Sequence, residues 1–139
     1  MRRIDEIIIH CTATPEGREH DVEDIRRWHL DRGWSDIGYH YLIKIDGTIE
    51  PGRPLERPGA HCKNRNRHSI GVVYVGGADA ELKPKNTLTV EQDIAMLNLL
   101  DSLIDRFPGA TVHGHNEFSS KECPSFDVQE VYGFLNLEE

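Results

Sequence analysis

Apolar positions along the chain follow two rhythms, short unbroken runs and helical spacings of three and four, and the two alternate from end to end. "IDEIIIHC" (residues 4–11) is a nearly all-apolar run rich in β-branched residues, the pattern of a strand buried on both faces. "DVEDIRRWHLDRG" (21–33) switches to helical spacing. Val22, Ile25 and Trp28 are expected on its buried face, with Asp21 capping its start and Gly33 stopping its end. "YHYLIKIDGTIEPG" (39–52) places alternating segments on either side of Asp46-Gly47, which predicts a hairpin closed by a two-residue turn. "SIGVVYVGG" (69–77) is a second buried strand that runs out into glycines.

The longest helix is predicted over "TVEQDIAMLNLLDSLIDRFPG" (89–109). Thr89 and Gln92 have capping-box spacing, and Ile94, Leu97, Leu100 and Ile104 form the expected buried stripe. "ATVHGH" (110–115) is a last short strand, and "DVQEVYGFLN" (127–136) a final helix with Asp127 and Glu130 as its capping pair. This alternation predicts an α/β fold, a single domain over residues 1–139 with a mixed β-sheet flanked by helices. The hairpin argues against an all-parallel sheet.

Composition narrows the function classes. Hydrophobic residues make up 37% and charged residues 29%, as in a soluble globular domain. A net charge of −8 argues against a nucleic-acid partner, which would select a basic excess, and against an anionic membrane surface. The N-terminal apolar run ends at Ile9, too short for a signal peptide, and no stretch approaches transmembrane length. Synthesis in the cytoplasm is therefore expected. The cysteines are Cys11, Cys62 and Cys123, an odd number that favours thiols or ligands over a disulfide framework.

Candidate chemistry gathers where strands end. In open α/β sheets, ligands bind beyond the carboxyl ends of the strands. His10 ends the first predicted strand, His115 follows the last, and Cys123 lies in the loop before the final helix. Two imidazoles and a thiolate suit zinc, and three protein ligands leave a fourth position open for water. Spacing alone leaves His113 and His115 in competition, since period two points both to the same face. A cysteine hydrolase with Cys123 as nucleophile is also open at this level. Cys11, next to His10 on a strand, is expected on the opposite face as a structural thiol, with Cys62 likewise structural. The basic loop "HCKNRNRHS" (61–69) reads as solvated, with stem-peptide carboxylates as the rarer reading. His20, His29 and His40 carry no ligand signal.

Four segments in order, "IIIHCTAT", "RGWSDIGYHYLIKIDGTIEPGR", "HSIGVVYVGG" and "HNEFSSKECPSFD", resemble the zinc-dependent N-acetylmuramoyl-L-alanine amidases of the type-2 family, which is related to the peptidoglycan recognition proteins. The similarity runs from Ile7 to about Phe134 and is nearest to the small phage-lysozyme-type members. It implies that fold, hydrolysis of the amide between N-acetylmuramic acid and L-alanine, and one zinc ion per chain held by His10, His115 and Cys123. It also implies active-site roles for Tyr39 and Lys121. His68 stands where many relatives have Asn, and no role is carried over for it. The presence of Cys123 favours catalysis over a non-catalytic peptidoglycan-binding module. The implied partner is peptidoglycan or a muropeptide, met by a monomer in the cell wall after release or export by other machinery. Some phage members also bind RNA polymerase, a regulatory alternative that the acidic charge neither supports nor excludes.

Overall fold

In the computed structural model, which describes residues 1–136, the chain forms β1 (Glu6–Cys11), β2 (Thr14–Pro15), α1 (Val22–Asp31), β3 (Tyr41–Ile43), β4 (Ile49–Pro51), β5 (Ser69–Tyr74), β6 (Gly77–Ala78), α2 (Val90–Arg106), β7 (Thr111–Gly114) and α3 (Val128–Tyr132). The last three residues of the expected domain lie outside the described residues. The main sheet has the order β4-β3-β5-β1-β7. β1 runs parallel to both neighbours, and only the hairpin strand β4 is antiparallel, so the sheet is mixed as expected. β2 and β6 form a separate two-stranded parallel ribbon.

Burial explains the apolar runs. Ile7, Ile8, Ile9 and every residue of β5 are shielded from solvent, because helices cover both sheet faces. α1 packs Val22 and Ile25 against Leu42, Val73 and Val75 on one face. α2 and α3 pack Met96, Leu100, Leu103, Val128 and Tyr132 against Ile7, Ile9, Val72 and Tyr74 on the other. Among the described residues no helix is long and apolar enough to cross a membrane.

Both long helices start as their cap residues dictate. Asp21 accepts from the Asp24 amide and Thr89 from the Gln92 amide, each in a reciprocal capping box. Gln92 of the second box is buried and ties the helix to the sheet. The Gln92 side-chain amide donates to the carbonyl of Val75 at 3.0 Å, and the Thr89 hydroxyl to that of Ile45 at 2.7 Å.

Four local expectations are corrected. On α1 the third buried residue is His29, whereas Trp28 is 36% exposed. On α2, Ile94 is 55% exposed, and the buried line runs through Gln92, Met96, Leu100 and Leu103, with Leu97 and Ile104 at its margin. The hairpin is closed by a wider loop than an Asp-Gly pair. Lys44 and Thr48 pair across it, the Gly47 amide returns to the Lys44 carbonyl, and Gly47 takes φ 90°. The final helix is α-helical only to Tyr132 and tightens into a 3₁₀ turn over Gly133–Asn136. The tightening lets Asn136 pair with both backbone groups of Val112 on edge strand β7, at 2.7 and 2.9 Å. The expected capping pair is half formed: Asp127 accepts from the amides of Gln129 and Glu130, and among the described residues the Glu130 side chain makes no return bond.

Candidate active site

Three segments distant in sequence deliver one donor each to the end of the sheet. His10 is the fifth residue of β1 and is buried on the α1 side, beside Val73 of β5. His115 opens a 3₁₀ turn directly after β7. The turn needs glycine at 114: a Cβ there would stand 2.7 Å from Asn116 Oδ1 and 2.8 Å from Val128. Its amide donates to Glu117 Oε2 at 2.7 Å. The turn breaks the period-two alternation, so His113 and His115 part company. His113 pairs with Thr111 at 2.7 Å and Glu117 at 2.9 Å, while the His115 ring faces the His10 ring at 4.6 Å.

Cys123 is held by its neighbours. The Cys123-Pro124 bond is cis and Ser125 has φ 73°. The buried Tyr74 hydroxyl donates to the Pro124 carbonyl at 2.6 Å, and the Ser125 hydroxyl to the Gly77 carbonyl at 2.7 Å. The Asn116 side chain donates to the Phe126 carbonyl at 3.1 Å, tying this loop to the His115 turn. The sulfur of Cys123 then lies 3.7 Å from His10 Nδ1 and accepts from the Cys11 amide at 3.3 Å. One donor atom each from His10, His115 and Cys123 lies within 4.8 Å of the others, a spacing that fits a single metal ion.

The electrostatics suit a cation. Burial first, and the charge of Lys121 among lesser causes, hold His10 well below the usual histidine range and lower His115 too, so both rings are neutral donors at neutral pH. Cys11 packs on the opposite face from His10, as expected, yet its thiol reaches Cys123. The neighbouring Cys11 side chain, then burial, pushes Cys123 up, while Cys123 brings the Cys11 thiol down to about 7.

A family model described as N-acetylmuramoyl-L-alanine amidase matches residues 1–126. The chain belongs to this amidase family. It is 42% identical over 125 residues to the endolysin of Escherichia phage T7, covering 90% of this chain and 83% of that protein. Its fold matches the N-acetylmuramoyl-L-alanine amidase LysC from Clostridium intestinale URNW with a TM-score of 0.83, at 28% identity over 99% of this chain and 88% of that one. It also matches a Drosophila PGRP-LB variant in complex with tracheal cytotoxin, with a TM-score of 0.76, at 27% identity over 89% and 76% of the two chains. The amidase cleaves the bond between N-acetylmuramic acid and L-alanine in peptidoglycan, the activity of this family.

Around the three donors the amidase arranges two further groups. The Tyr39 ring stands 5.0 Å from His10, and burial raises its hydroxyl above the usual tyrosine value. Exposed Lys121 borders both a cleft of about 520 Å³, shared with Trp34, His61, Asn66 and His115, and a smaller hollow of about 200 Å³ beside Cys123. The basic loop is only partly solvated. His61 and Cys62 are buried, and His61 Nδ1 lies 2.8 Å from His10 Nε2. Arg65 turns away, to Glu6 at 2.8 Å and over the Phe118 ring at 4.1 Å. The buried His40 is structural: its Nδ1 accepts from the Gly71 amide and its Nε2 meets the Arg57 carbonyl. His29 accepts from the Gly38 amide at 2.8 Å, and half-buried His68 meets the Arg3 carbonyl at 3.2 Å where β5 begins. Sequence reasoning passed over His61. The signal available was the pair of glycines, Gly59 and Gly71, whose missing side chains leave room for its ring.

Proposed function

We propose that the amidase holds one zinc ion through His10 Nδ1, His115 and Cys123, and that Lys121 and Tyr39 act on the amide beside it. The observation that carries this reading is the convergence of the three donors within 4.8 Å from three separate segments. Two neutral imidazoles and one thiolate form a zinc-type donor set with room for a fourth ligand. When bound, zinc would supply a Lewis acid and a water whose pKa falls to about 7. A cation at the cluster would favour the thiolate form of Cys123.

The remaining work falls to the chain. Lys121 keeps a flexible ammonium at the mouth of the cleft, where it stabilises negative charge developing on the amide oxygen. Tyr39, its hydroxyl held neutral by burial, is a hydrogen-bond donor to an oxygen at the site rather than a base at neutral pH. Cys123 is read as a ligand rather than a nucleophile because its sulfur joins the His10 and His115 donors within 4.8 Å. The cleft of about 520 Å³, lined by Trp34, His115 and Lys121 among others, has room for a sugar–peptide junction.

Digestion of purified cell walls tests this. Mass analysis of the products should show sugar strands with free lactyl groups and peptides with a new L-alanine amino terminus, and a chelator should abolish both. New reducing sugar ends, or full activity in excess chelator, would contradict it.

A further inference from the structure

Gly71 lies in the middle of buried strand β5, where a glycine weakens the strand and makes no turn. A Cβ there would stand 2.6, 2.7 and 2.9 Å from three atoms of the His61 ring. A Cβ on Gly59 would stand 2.7 Å from His61 Cδ2. The two glycines therefore clear a slot for one imidazole. The backbone below it is fixed as well, since Asn66 Oδ1 accepts from the amides of both His61 and Cys62 at 2.9 Å. In this slot the ring is edge-on to His10, at 90° and 4.9 Å between centroids.

The result is an unbranched chain of polar atoms. Cys123 Sγ lies 3.7 Å from His10 Nδ1, His10 Nε2 lies 2.8 Å from His61 Nδ1, and His61 Nε2 lies 3.1 Å from Ser69 Oγ. His10, His61 and Ser69 are all buried. A neutral imidazole carries one N–H, so the chain has two proton arrangements. In one, His10 donates from Nε2 to His61, His61 donates from Nε2 to Ser69, and the Nδ1 lone pair of His10 faces Cys123. In the other, every proton moves one place, and His10 points Nδ1–H at the sulfur, where it has no lone pair for a cation.

The geometry points to His61, backed by Ser69, as the positioning residue that sets the His10 tautomer, accepting its Nε2–H so that Nδ1 is free to bind metal. This rests on the zinc reading above. Residues that orient metal-binding histidines in this way typically govern affinity by 10–100-fold.

The test needs no turnover. Nitrogen-15 NMR of the histidine rings in the zinc-loaded protein should find His10 and His61 both protonated on Nε2. Competition against a chromophoric chelator should show His61→Leu binding zinc about 10–100-fold more weakly than the parent. His61→Gln, whose amide oxygen still accepts, should recover part of that loss, and Ser69→Ala should lose less than His61→Leu. A parent protein that binds no zinc would overturn the zinc reading and this inference together. With zinc bound, His61 protonated on Nδ1, or parental affinity in His61→Leu, would overturn the inference alone. If His61→Leu fails to fold, the ring protonation of the unsubstituted protein decides.

Discussion

His10 Nδ1 lies 3.7 Å from the sulfur of Cys123, although 113 positions separate the two residues. β1 brings the histidine to the end of the sheet, and the Tyr74–Pro124 and Ser125–Gly77 hydrogen bonds bring the cysteine back to it. The two thiols at this place should therefore respond differently to substitution. Cys123→Ser replaces a soft ligand with a poor one and should strip most of the zinc. Cys11→Ser should keep the zinc and lose about 1–3 kcal/mol of stability, the cost of burying a hydroxyl. Elemental analysis and denaturant unfolding separate the two, and zinc loss in Cys11→Ser with zinc kept in Cys123→Ser would reverse the assignment.

The histidines flanking Gly114 offer a second contrast. His115→Ala should remove a metal donor and with it both zinc and activity. His113→Ala breaks only the contacts with Thr111 and Glu117, and should retain zinc at a cost of about 1 kcal/mol. Metal lost from the His113 variant and kept in the His115 variant would show that the wrong ring had been chosen.

Lys121 and Tyr39 are proposed to act without touching the metal. Lys121→Ala should keep its zinc and lose about 10²–10³ in kcat, the usual loss for one oxyanion donor. kcat/KM should fall in step, because the charge it meets exists mainly in the transition state. Lys121→Arg should rescue little, since a planar guanidinium does not replace a compact ammonium. Tyr39→Phe removes only a hydroxyl, so its zinc content should stay normal while turnover drops. Steady-state rates on purified walls beside zinc content decide, and full activity in Lys121→Ala would remove that residue from the mechanism.

Acid should unfold the metal-free protein through its buried histidines, among them two outside the cluster. Burial holds His29 and His40 down to about 4, below the unfolded value of 6.5. Between those values the unfolded chain binds protons that the folded chain refuses. Their contribution is complete above pH 6.5 and drains away as pH falls toward 4. Urea midpoints of the metal-free protein should fall steadily over that range, and a His40→Gln variant should show a shallower fall. A flat profile from pH 7 to 4.5 would contradict the burial of these rings.

Much of this was legible in the chain. β-branched runs mark strands buried on both faces, so β1 and β5 could be read directly, and the Asp21 cap and the Thr89 capping box marked two helix starts. Helix faces were harder, because several apolar residues compete for one face. At about 100° per residue, His29 lies about 20° from Val22 around the helix, while Trp28 lies about 120° away. Ile94 lies about 160° from Met96, on the far side of α2. The donors His10 and Cys123 stood out by position, but choosing His115 over His113 needed the family resemblance, because the turn that separates them fits against Val128 and Pro124, which leave no room for a Cβ at Gly114. His61 was hidden for the same reason. Its partners lie 51 and 8 positions away, and only the folded sheet brings them together.

The central claim is that the His10–His115–Cys123 cluster holds the zinc on which amide cleavage depends. The direct measurement is a titration of chelator-stripped protein with zinc, following release of peptides bearing a free L-alanine amino terminus. Activity should rise linearly and level off at one equivalent, and Cys123→Ser should show no such break. Full activity before any zinc is added, or the same one-equivalent break in Cys123→Ser, would contradict the account.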